Sequence, residues 1–472
     1  MACSKRESVV AALAAALATL ALAWAWRGYV VDDAWIPARY AAHLAAGHGY
    51  RFNVDGAVTD GVTPLPWAPI LVLASGGGGV ARALIAARVV GVVAWTCGAA
   101  ALAVAASRAG GRSARYVPLV TLALAAPLGA WSGAGLETGL AASFVAIACS
   151  AGDRDRGGLA AAIAAGLAAS LRPEALPLAL VLGAWAGAGL AAEARVIRVL
   201  VAALPWLVVV TLRVAIFERA APLAVLAKPS DLAHGASYVG GFLVFGGAPI
   251  LVFAPVALAR GPLARARYFL AAAAVHAITV AIAGGDWMPL SRLMVPAIPP
   301  LVLAAVDIAE TAPPALTLVR AVASVALLLV PWARLHHDAA SVFRDRLALI
   351  DAARPALAPY RAIAILDAGW AGAATEARVV DLAGLTDPAI AMLPGGHTSK
   401  RVPATLLDAR GVDAIVLLRE KGCAGECVQD DGGPFERVVE TRLADDRWVR
   451  EAFAPVRTIE AGALVYVVLA RR

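Results

Sequence analysis

The 472-residue sequence predicts a polytopic all-α membrane protein with a small α/β domain at its C-terminal end. Three observations lead there. Hydrophobic residues make up 61% of the chain and charged residues 16%, against about half and a quarter in ordinary soluble domains. The excess is one-sided: residues 1–335 hold 24 Lys+Arg and 15 Asp+Glu, whereas residues 336–472 hold 17 and 19. The apolar residues of the first part fall into runs long enough to cross a bilayer, which takes about 20 residues. The sequence therefore divides into a lipid-solvated module, 1–335, and a soluble domain, 336–472. A one-domain cytosolic enzyme and a disordered chain are excluded. The net charge of +7 comes from the membrane module, where basic residues set orientation rather than bind nucleic acid.

The first span, Val9–Trp26, follows Lys5 and Arg6. Its Ala23-Trp24-Ala25 end resembles a signal-peptidase site, but the run is long for a signal core and more spans follow, so it reads as uncleaved. Further spans fit about 82–107, 116–132, 137–151, 157–171, 174–191, 196–216, 238–259, 267–283, 292–310 and 314–333, eleven in all. The stretch Pro64–Ala74 is apolar but short, carries Pro64, Pro66 and Pro69, and ends in Ser75 and four glycines. If it spanned, the loop with Arg108, Arg112 and Arg115 would fall outside, against the tendency of Lys and Arg to stay cytoplasmic. Read as a juxtamembrane helix, it places Lys5/Arg6, Arg108/Arg112/Arg115, Arg154/Arg156, Arg195/Arg198 and Arg260/Arg265/Arg267 on the cytoplasmic side. The N-terminus is then cytoplasmic and the charged tail lies on the opposite face.

That tail reads as mixed α/β. Apolar runs 362–366, 378–382, 414–418 and 463–470 suit strands, with helical stretches near 402–410 and 446–453. Five cysteines are too few for a disulfide scaffold. Cys97 and Cys149 lie in apolar runs and read as small buried hydrophobes. Cys423 and Cys427 could pair in an oxidising compartment, and with no second Cys or His pair beside them a zinc site is not expected. No internal repeat or P-loop is present.

Ionisable residues collect in the loops of the outer face. Loop 27–63 carries Asp32, Asp33, Arg39, Tyr40, His43 and His48; later outer turns carry Glu137, Arg172 and Glu174, Lys228, and then Asp286, Trp287 and Arg292. The adjacent acids Asp32-Asp33 repel one another, so keeping both ionised calls for a cation, a metal or open water. In a sugar-transferring site one of them can take the proton of an attacking hydroxyl. The other can orient it or hold a divalent ion. The competing reading is a solvated loop whose acids cap the helix expected at 34–46. Glu137 and Glu174 lie beside apolar spans, where an unpaired carboxylate is expensive; Arg172 beside Glu174 offers a partner, and a structural ion pair serves equally well. Lys228, Arg292 and Arg39 are candidates to hold a phosphate, Lys as a point charge and Arg as a fork. Snorkelling to the interface is their alternative. His43 and His48 suit hydrogen bonding better than metal ligation. Trp67, Trp131 and Trp287 at helix ends read as interface-belt residues, and Trp287 beside Asp286 could stack on a sugar ring.

The segment Asp32-Asp-Ala-Trp-Ile-Pro-Ala-Arg39-Tyr40 through Gly47-His48-Gly49-Tyr-Arg-Phe52-Asn53 resembles the first outer loop of bacterial GT-C glycosyltransferases. Among them it is most similar to the mycobacterial terminal arabinofuranosyltransferase-like proteins. Four more blocks resemble that family in the same order: Ser132–Thr138 with Gly-Leu-Glu-Thr, Arg172-Pro173-Glu174, Gly284–Arg292 with Gly-Gly-Asp-Trp-Met-Pro, and Val380–Pro388 with Asp381 and Asp387. The resemblance implies a bundle with two interfacial helices in the first outer loop and a periplasmic C-terminal domain, in a bacterial cytoplasmic membrane. It implies a polyprenyl-phosphate-linked sugar donor, an inverting reaction, and an envelope glycan, glycolipid or protein as acceptor. By it Asp32 or Asp33 is the catalytic base and Glu137 supports the site. From the outer-face residues themselves, Arg39, Arg172, Lys228 and Arg292 are candidate donor-phosphate ligands, and Tyr40, His48, Glu174, Asp286 and Trp287 candidate substrate contacts. A divalent cation, Mg²⁺ or Mn²⁺, held by Asp32 and Asp33 is a candidate cofactor. Two departures stand out. The family's Gly-Tyr-Thr-Asn-Pro-Leu-Trp is here Gly61-Val-Thr-Pro-Leu-Pro-Trp67, and its Pro-Asn-Thr-Tyr-Tyr-Ala-Lys is Pro222-Leu-Ala-Val-Leu-Ala-Lys228. Both remove polar contacts, so sugar and acceptor identity do not transfer.

Two other classes compete. A transporter or flippase of a lipid-linked glycan would need ionisable residues near the bilayer midplane on broken, repeat-related helices, and Arg213 and His276 are nearly the only deep candidates. A non-catalytic scaffold of envelope assembly would tolerate loss of Asp32 and Asp33.

Overall fold

A computed structural model describes residues 5–109, 126–151, 157–243, 264–310, 313–419, 435–462 and 464–472. Cys423 and Cys427, which could pair, the basic residues Arg112, Arg115, Arg154, Arg156 and Arg260, and most of the spans expected at 116–132 and 238–259 lie outside the described residues. The chain divides into two compact units. One comprises Met1–Tyr29, Ala87–Thr211 and Ser230–Ala340; the other comprises Val30–Ala86, Leu212–Pro229 and Ser341–Arg472.

The first unit is built of apolar helices. Among the described residues, Lys5–Ala25, Gly79–Arg108, Ala192–Phe217, Arg265–Ile282 and Arg292–Ala309 are long and apolar enough to cross a membrane; Thr138–Ala151, Gly157–Leu171 and Pro173–Ala186 are shorter apolar helices. Their side chains are sorted by size rather than by polarity. In Lys5–Ala25 the bulky Val9, Leu13, Leu17 and Leu20 point outward while Ala11 and Ala15 are buried. In Ala192–Phe217, Leu200, Leu204 and Leu207 are exposed and Ala202 is fully buried. Water would penalise such a surface; lipid does not, and helices solvated by lipid associate instead through small residues that let backbones approach. A Cβ on Gly139 would stand 2.6 Å from the Gly91 carbonyl oxygen, and one on Gly166 2.6 Å from that of Ala202. Cys149 is buried as expected, but Cys97 is exposed: apolarity alone does not separate the lipid face of a span from its bundle face.

The second unit joins the first long loop to the C-terminal domain. The loop forms two short helices, Trp35–Ala45 and Trp67–Ser75, packed on one another. Nine residues of helix reach about 14 Å, half the thickness of a bilayer core, so the Pro64–Ala74 stretch does not span. The boundary expected at residue 335 falls inside one continuous helix, Pro314–Leu357, of 44 residues. The C-terminal sheet has five strands, β1 (Ala362–Ile365), β2 (Arg378–Asp381), β3 (Ala414–Leu418), β4 (Phe453–Ala461) and β5 (Leu464–Arg471), in the order β2-β1-β3-β5-β4. Strands β2, β1 and β3 are parallel, with Ile363 level with Val379 on one side and Ala414 on the other. β5 runs antiparallel to both β3 and β4. Every residue of β1 and β3 is buried, as parallel strands covered on both faces require. β4, absent from the sequence reading, is an edge strand with a register shift between Pro455 and Arg457 and a largely exposed middle.

Candidate functional site

The two adjacent acids part company in the structure. Asp32 opens a turn of 3₁₀ helix, Asp32–Ala34, that leads into helix Trp35–Ala45. Neither acid caps that helix: its N-cap is Ala34 and no side chain bonds there. Asp32 is buried, and its carboxylate accepts the backbone N–H of Gly369 at 3.0 Å and of Trp370 at 2.9 Å. It thus satisfies the first turn of helix Ala368–Ala374, 337 residues further along the chain. The approach is close enough that a Cβ at Gly369 would overlap the Asp32 carbonyl oxygen. Asp33 is only partly buried.

Arg39 grips the other end of the same short helix. It is 1% exposed, and its guanidinium donates to the carbonyls of Gly372 (2.5 Å), Thr375 (2.8 Å) and Ala377 (3.3 Å), while Nε donates to Phe52 O at 2.8 Å. An acid at the N-terminus and a cation at the C-terminus complement the peptide dipoles of the helix between them. The two ends are held by residues seven apart on the first loop. The geometry gives Arg39 backbone carbonyls to hold, a different task from the phosphate contact expected of it.

Asp367, which precedes that helix, turns away from it. Arg437 donates to both its oxygens at 2.9 Å and the Tyr466 hydroxyl donates at 2.5 Å. Arg437 also forks onto Glu440, at 2.8 and 2.6 Å, and Glu440 accepts the Leu418 N–H at 3.0 Å. Burial opposes ionisation of Asp367, but the Arg437 and Arg346 guanidinium groups outweigh it and hold the carboxyl below its ordinary value. Asp32 moves the other way: burial, joined by the charges of Asp367 and Asp33, lifts it despite Arg346 and the Trp370 N–H.

The remaining first-loop candidates are placed as follows. Tyr40 is fully buried, its hydroxyl 2.6 Å from Thr59 Oγ1 and accepting the Gly61 N–H at 3.2 Å. His43 Nδ1 lies 3.0 Å from Arg51 O, and His48 is exposed with its ring edge-on to His43. Lys228 is partly buried at the end of the short helix Leu223–Ala227. Arg213, one of the two deep candidates for a transport path, instead pairs with Asp60 of the first loop at 2.6 Å and donates to Thr63 O at 2.6 Å. Asp60 carries no sequence signal beyond its charge; the pair is visible only in three dimensions.

In the first unit, Arg172 Nε stands 2.8 Å from Glu137, with Glu174 at 3.6 Å and the Thr138 hydroxyl at 3.2 Å. Both Glu137 and Arg172 are 3% exposed. Asp286 pairs with Arg292 at 2.6 Å and accepts the Trp287 N–H at 2.9 Å. The segment between them is tightly wound: Gly284 and Gly285 have φ of 90° and 69°, and the non-glycine residues Leu290 and Ser291 have φ of 59° and 45°. Left-handed backbone at such residues costs about 1 kcal/mol or more each, and Trp131 Nε1 donates to Leu290 O at 3.2 Å across that bend. Trp287 is 53% exposed. Trp131 and Trp67 are fully buried, which corrects their reading as interface-belt residues: a helix-end tryptophan looks the same in sequence whether it faces lipid or packing partners. His276, the second deep candidate, is fully buried between the carbonyls of Glu174 (3.2 Å) and Leu293 (2.7 Å).

Among the described residues no group of three or more His, Cys, Asp or Glu could hold a metal ion. Asp32, one of the two expected ligands, accepts one backbone N–H on each of its oxygens. In the C-terminal domain Asp381 is fully buried and accepts the N–H groups of Ala383 and Thr386 and the Thr386 hydroxyl, tying down the turn that follows β2. Asp387 caps helix Pro388–Ala391 and pairs with Arg410, the structural turn role that its position before Pro388 implies.

Comparison with known proteins adds three findings. Residues 339–467 match the family model of a domain of unknown function, DUF8728. No curated protein matches the sequence. Crystal structures of ArnT from Cupriavidus metallidurans match nearly the whole chain. The form bound to undecaprenyl phosphate aligns with a TM-score of 0.55 and 16% identity over 98% of each chain. The apo form aligns with a TM-score of 0.56 and 14% identity over 98% of this chain and 97% of that one. The chain therefore shares the fold of ArnT: mostly helical, with several helices among the described residues long and apolar enough to cross a membrane, and a small C-terminal sheet domain.

Proposed function

We propose that the protein is a membrane glycosyltransferase that moves a sugar from a polyprenyl-phosphate donor to an acceptor hydroxyl on the outer face of the cytoplasmic membrane. The observation that carries this reading is the fold match over 98% of the chain to an ArnT structure that holds undecaprenyl phosphate. A pentofuranose such as arabinose is one candidate sugar to include in the donor panel, and an envelope glycan, glycolipid or protein is the candidate acceptor. The two deep ionisable residues weigh against a transporter, since Arg213 and His276 each hold a local structural contact.

Asp33 is the general base in this reading. Asp32 is buried and accepts one backbone N–H on each oxygen, whereas Asp33 beside it is partly exposed, where an acceptor can reach it. Asp33 takes the proton of the acceptor hydroxyl as its oxygen attacks the anomeric carbon. The bond from that carbon to the phosphate oxygen breaks, the anomeric centre inverts, and the pair of electrons leaves with the polyprenyl phosphate. In this reading Lys228, a residue of the same unit, stabilises the charge gathering on the departing phosphate. Glu137, Arg172 and Glu174 form a compact ion cluster in the other unit.

The test uses purified protein in nanodiscs with a panel of polyprenyl-phosphate sugars and a crude envelope-glycan acceptor. Acceptor-dependent release of free polyprenyl phosphate from one donor supports the proposal. A protein that binds such donors yet releases none of them contradicts it.

A further inference from the structure

A cleft of about 440 Å³ opens in the unit that carries Asp33. One wall is the first long loop from Phe52 to Thr59; the other is formed by β2 and the turn after it, with Arg410 at its edge. Phe52, Asn53 and Asp387 line it, but none of the residues expected to bind the donor or to act in catalysis does. Both walls are fixed. Asn53 donates to the Val379 carbonyl at 2.9 Å and accepts the Val379 N–H at 2.9 Å, so its side-chain amide pairs with β2 as another strand would. Arg410 forks onto Asp387 at 2.5 and 3.1 Å, and Asp387 holds the Ala389 N–H at 3.0 Å. The volume lies in the range of about 300–1,000 Å³ typical of small-molecule sites.

The lining selects the ligand. Asp55 and Asp387 balance Arg378 and Arg410, so the cleft has no net formal charge. An anion would meet two carboxylates there and a cation two guanidinium groups. A neutral polyhydroxyl ligand suits both, because each hydroxyl donates and accepts. The Thr59 and Thr386 hydroxyls add further polar edges, and the small Gly56, Ala57 and Ala389 leave room for a ring. The cleft is also tied to the candidate base. Phe52, in its wall, receives the hydrogen bond of Arg39 Nε, and Arg39 follows Asp33 by six residues of one helical segment, about 9 Å along its axis.

We infer that this cleft is a saccharide-binding subsite that holds neutral sugar units of the acceptor away from the hydroxyl that reacts. Its role in catalysis rests on the glycosyltransferase reading; its binding of saccharides does not. Binding distant units of a substrate lets that energy orient the reacting group.

The test titrates the full-length protein in nanodiscs with linear neutral tetrasaccharides of pentose or hexose units, read by saturation-transfer NMR. Uronate-containing and phosphorylated tetrasaccharides of the same length run beside them. Neutral tetrasaccharides are expected to bind. Ala389→Trp, which fills the cleft from an exposed position, and Arg378→Ala are each expected to weaken binding at least tenfold and to raise acceptor KM by a similar factor with kcat retained. No neutral binding, a preference for the anionic ligands, or binding indifferent to both substitutions would overturn the inference. If neutral saccharides bind through the cleft while no polyprenyl-phosphate sugar is consumed, the subsite stands and the glycosyltransferase reading falls.

Discussion

Asp32 and Asp33 are chemically identical neighbours, and burial separates them: Asp32 is 8% exposed, Asp33 more so. Two backbone N–H groups from a helix 337 positions away meet Asp32. No reading of the loop alone could supply that partner, which is why the sequence leaves the choice between the two acids open. Replacing Asp32 by Asn keeps one acceptor oxygen and turns an amide NH₂ toward the other donor. A buried donor left unsatisfied costs about 1–3 kcal/mol, so Asp32→Asn should lower the thermal unfolding midpoint in nanodiscs. Asp381 offers a pH test. Burial lifts its carboxyl from 3.8 to about 7 in spite of the Thr386 and Ala383 donors, with the charge of Asp387 adding to the rise. A raised folded value means that the group's contribution is complete below about 4 and is lost as pH climbs toward 7. The stability advantage of wild type over Asp381→Asn should therefore shrink between pH 4 and pH 7 in thermal melts.

At the scale of elements, the pattern of apolar runs located most helices and four of the five strands, because burial and lipid both write a long hydrophobic signature. β4 escaped because an edge strand needs none: Pro455, Arg457 and Glu460 sit in it without penalty where solvent covers one side. The long helix Pro314–Leu357 escaped in its second half because a rise in polarity looks like a domain boundary even when the backbone continues. Helix contacts through glycine were equally silent. Gly166 lets its helix reach the Ala202 carbonyl and Pro205, so Gly166→Val should force the helices apart. Overpacking of this kind costs about 1–3 kcal/mol, read as a lower unfolding midpoint and a reduced yield of folded protein in detergent. The short helix Ala368–Ala374 is held at both ends by first-loop side chains, and Arg39→Ala should loosen it, seen as faster amide exchange at 368–377.

For the whole molecule, the fold class was legible because membrane solvation and charge asymmetry act on hundreds of residues at once. The arrangement of the site was not, since the unit holding Asp33 is assembled from three separate stretches of chain, Val30–Ala86, Leu212–Pro229 and Ser341–Arg472. We propose that the N-terminus is cytoplasmic and this C-terminal stretch external, on the placement of Lys5, Arg6 and the later basic loops. A C-terminal alkaline phosphatase fusion should be active and a fluorescent-protein fusion dark; the reverse pattern would invert the orientation. The most direct test compares release of polyprenyl phosphate from the preferred donor, with acceptor present, by wild type, Asp33→Asn and Asp32→Asn. Loss of a general base removes about 10²–10⁴-fold of rate. The account predicts a loss of that size for Asp33→Asn in folded protein, with Asp32→Asn retaining turnover in proportion to the protein that stays folded. Full activity in Asp33→Asn, or its loss only in a folded Asp32→Asn, would contradict it.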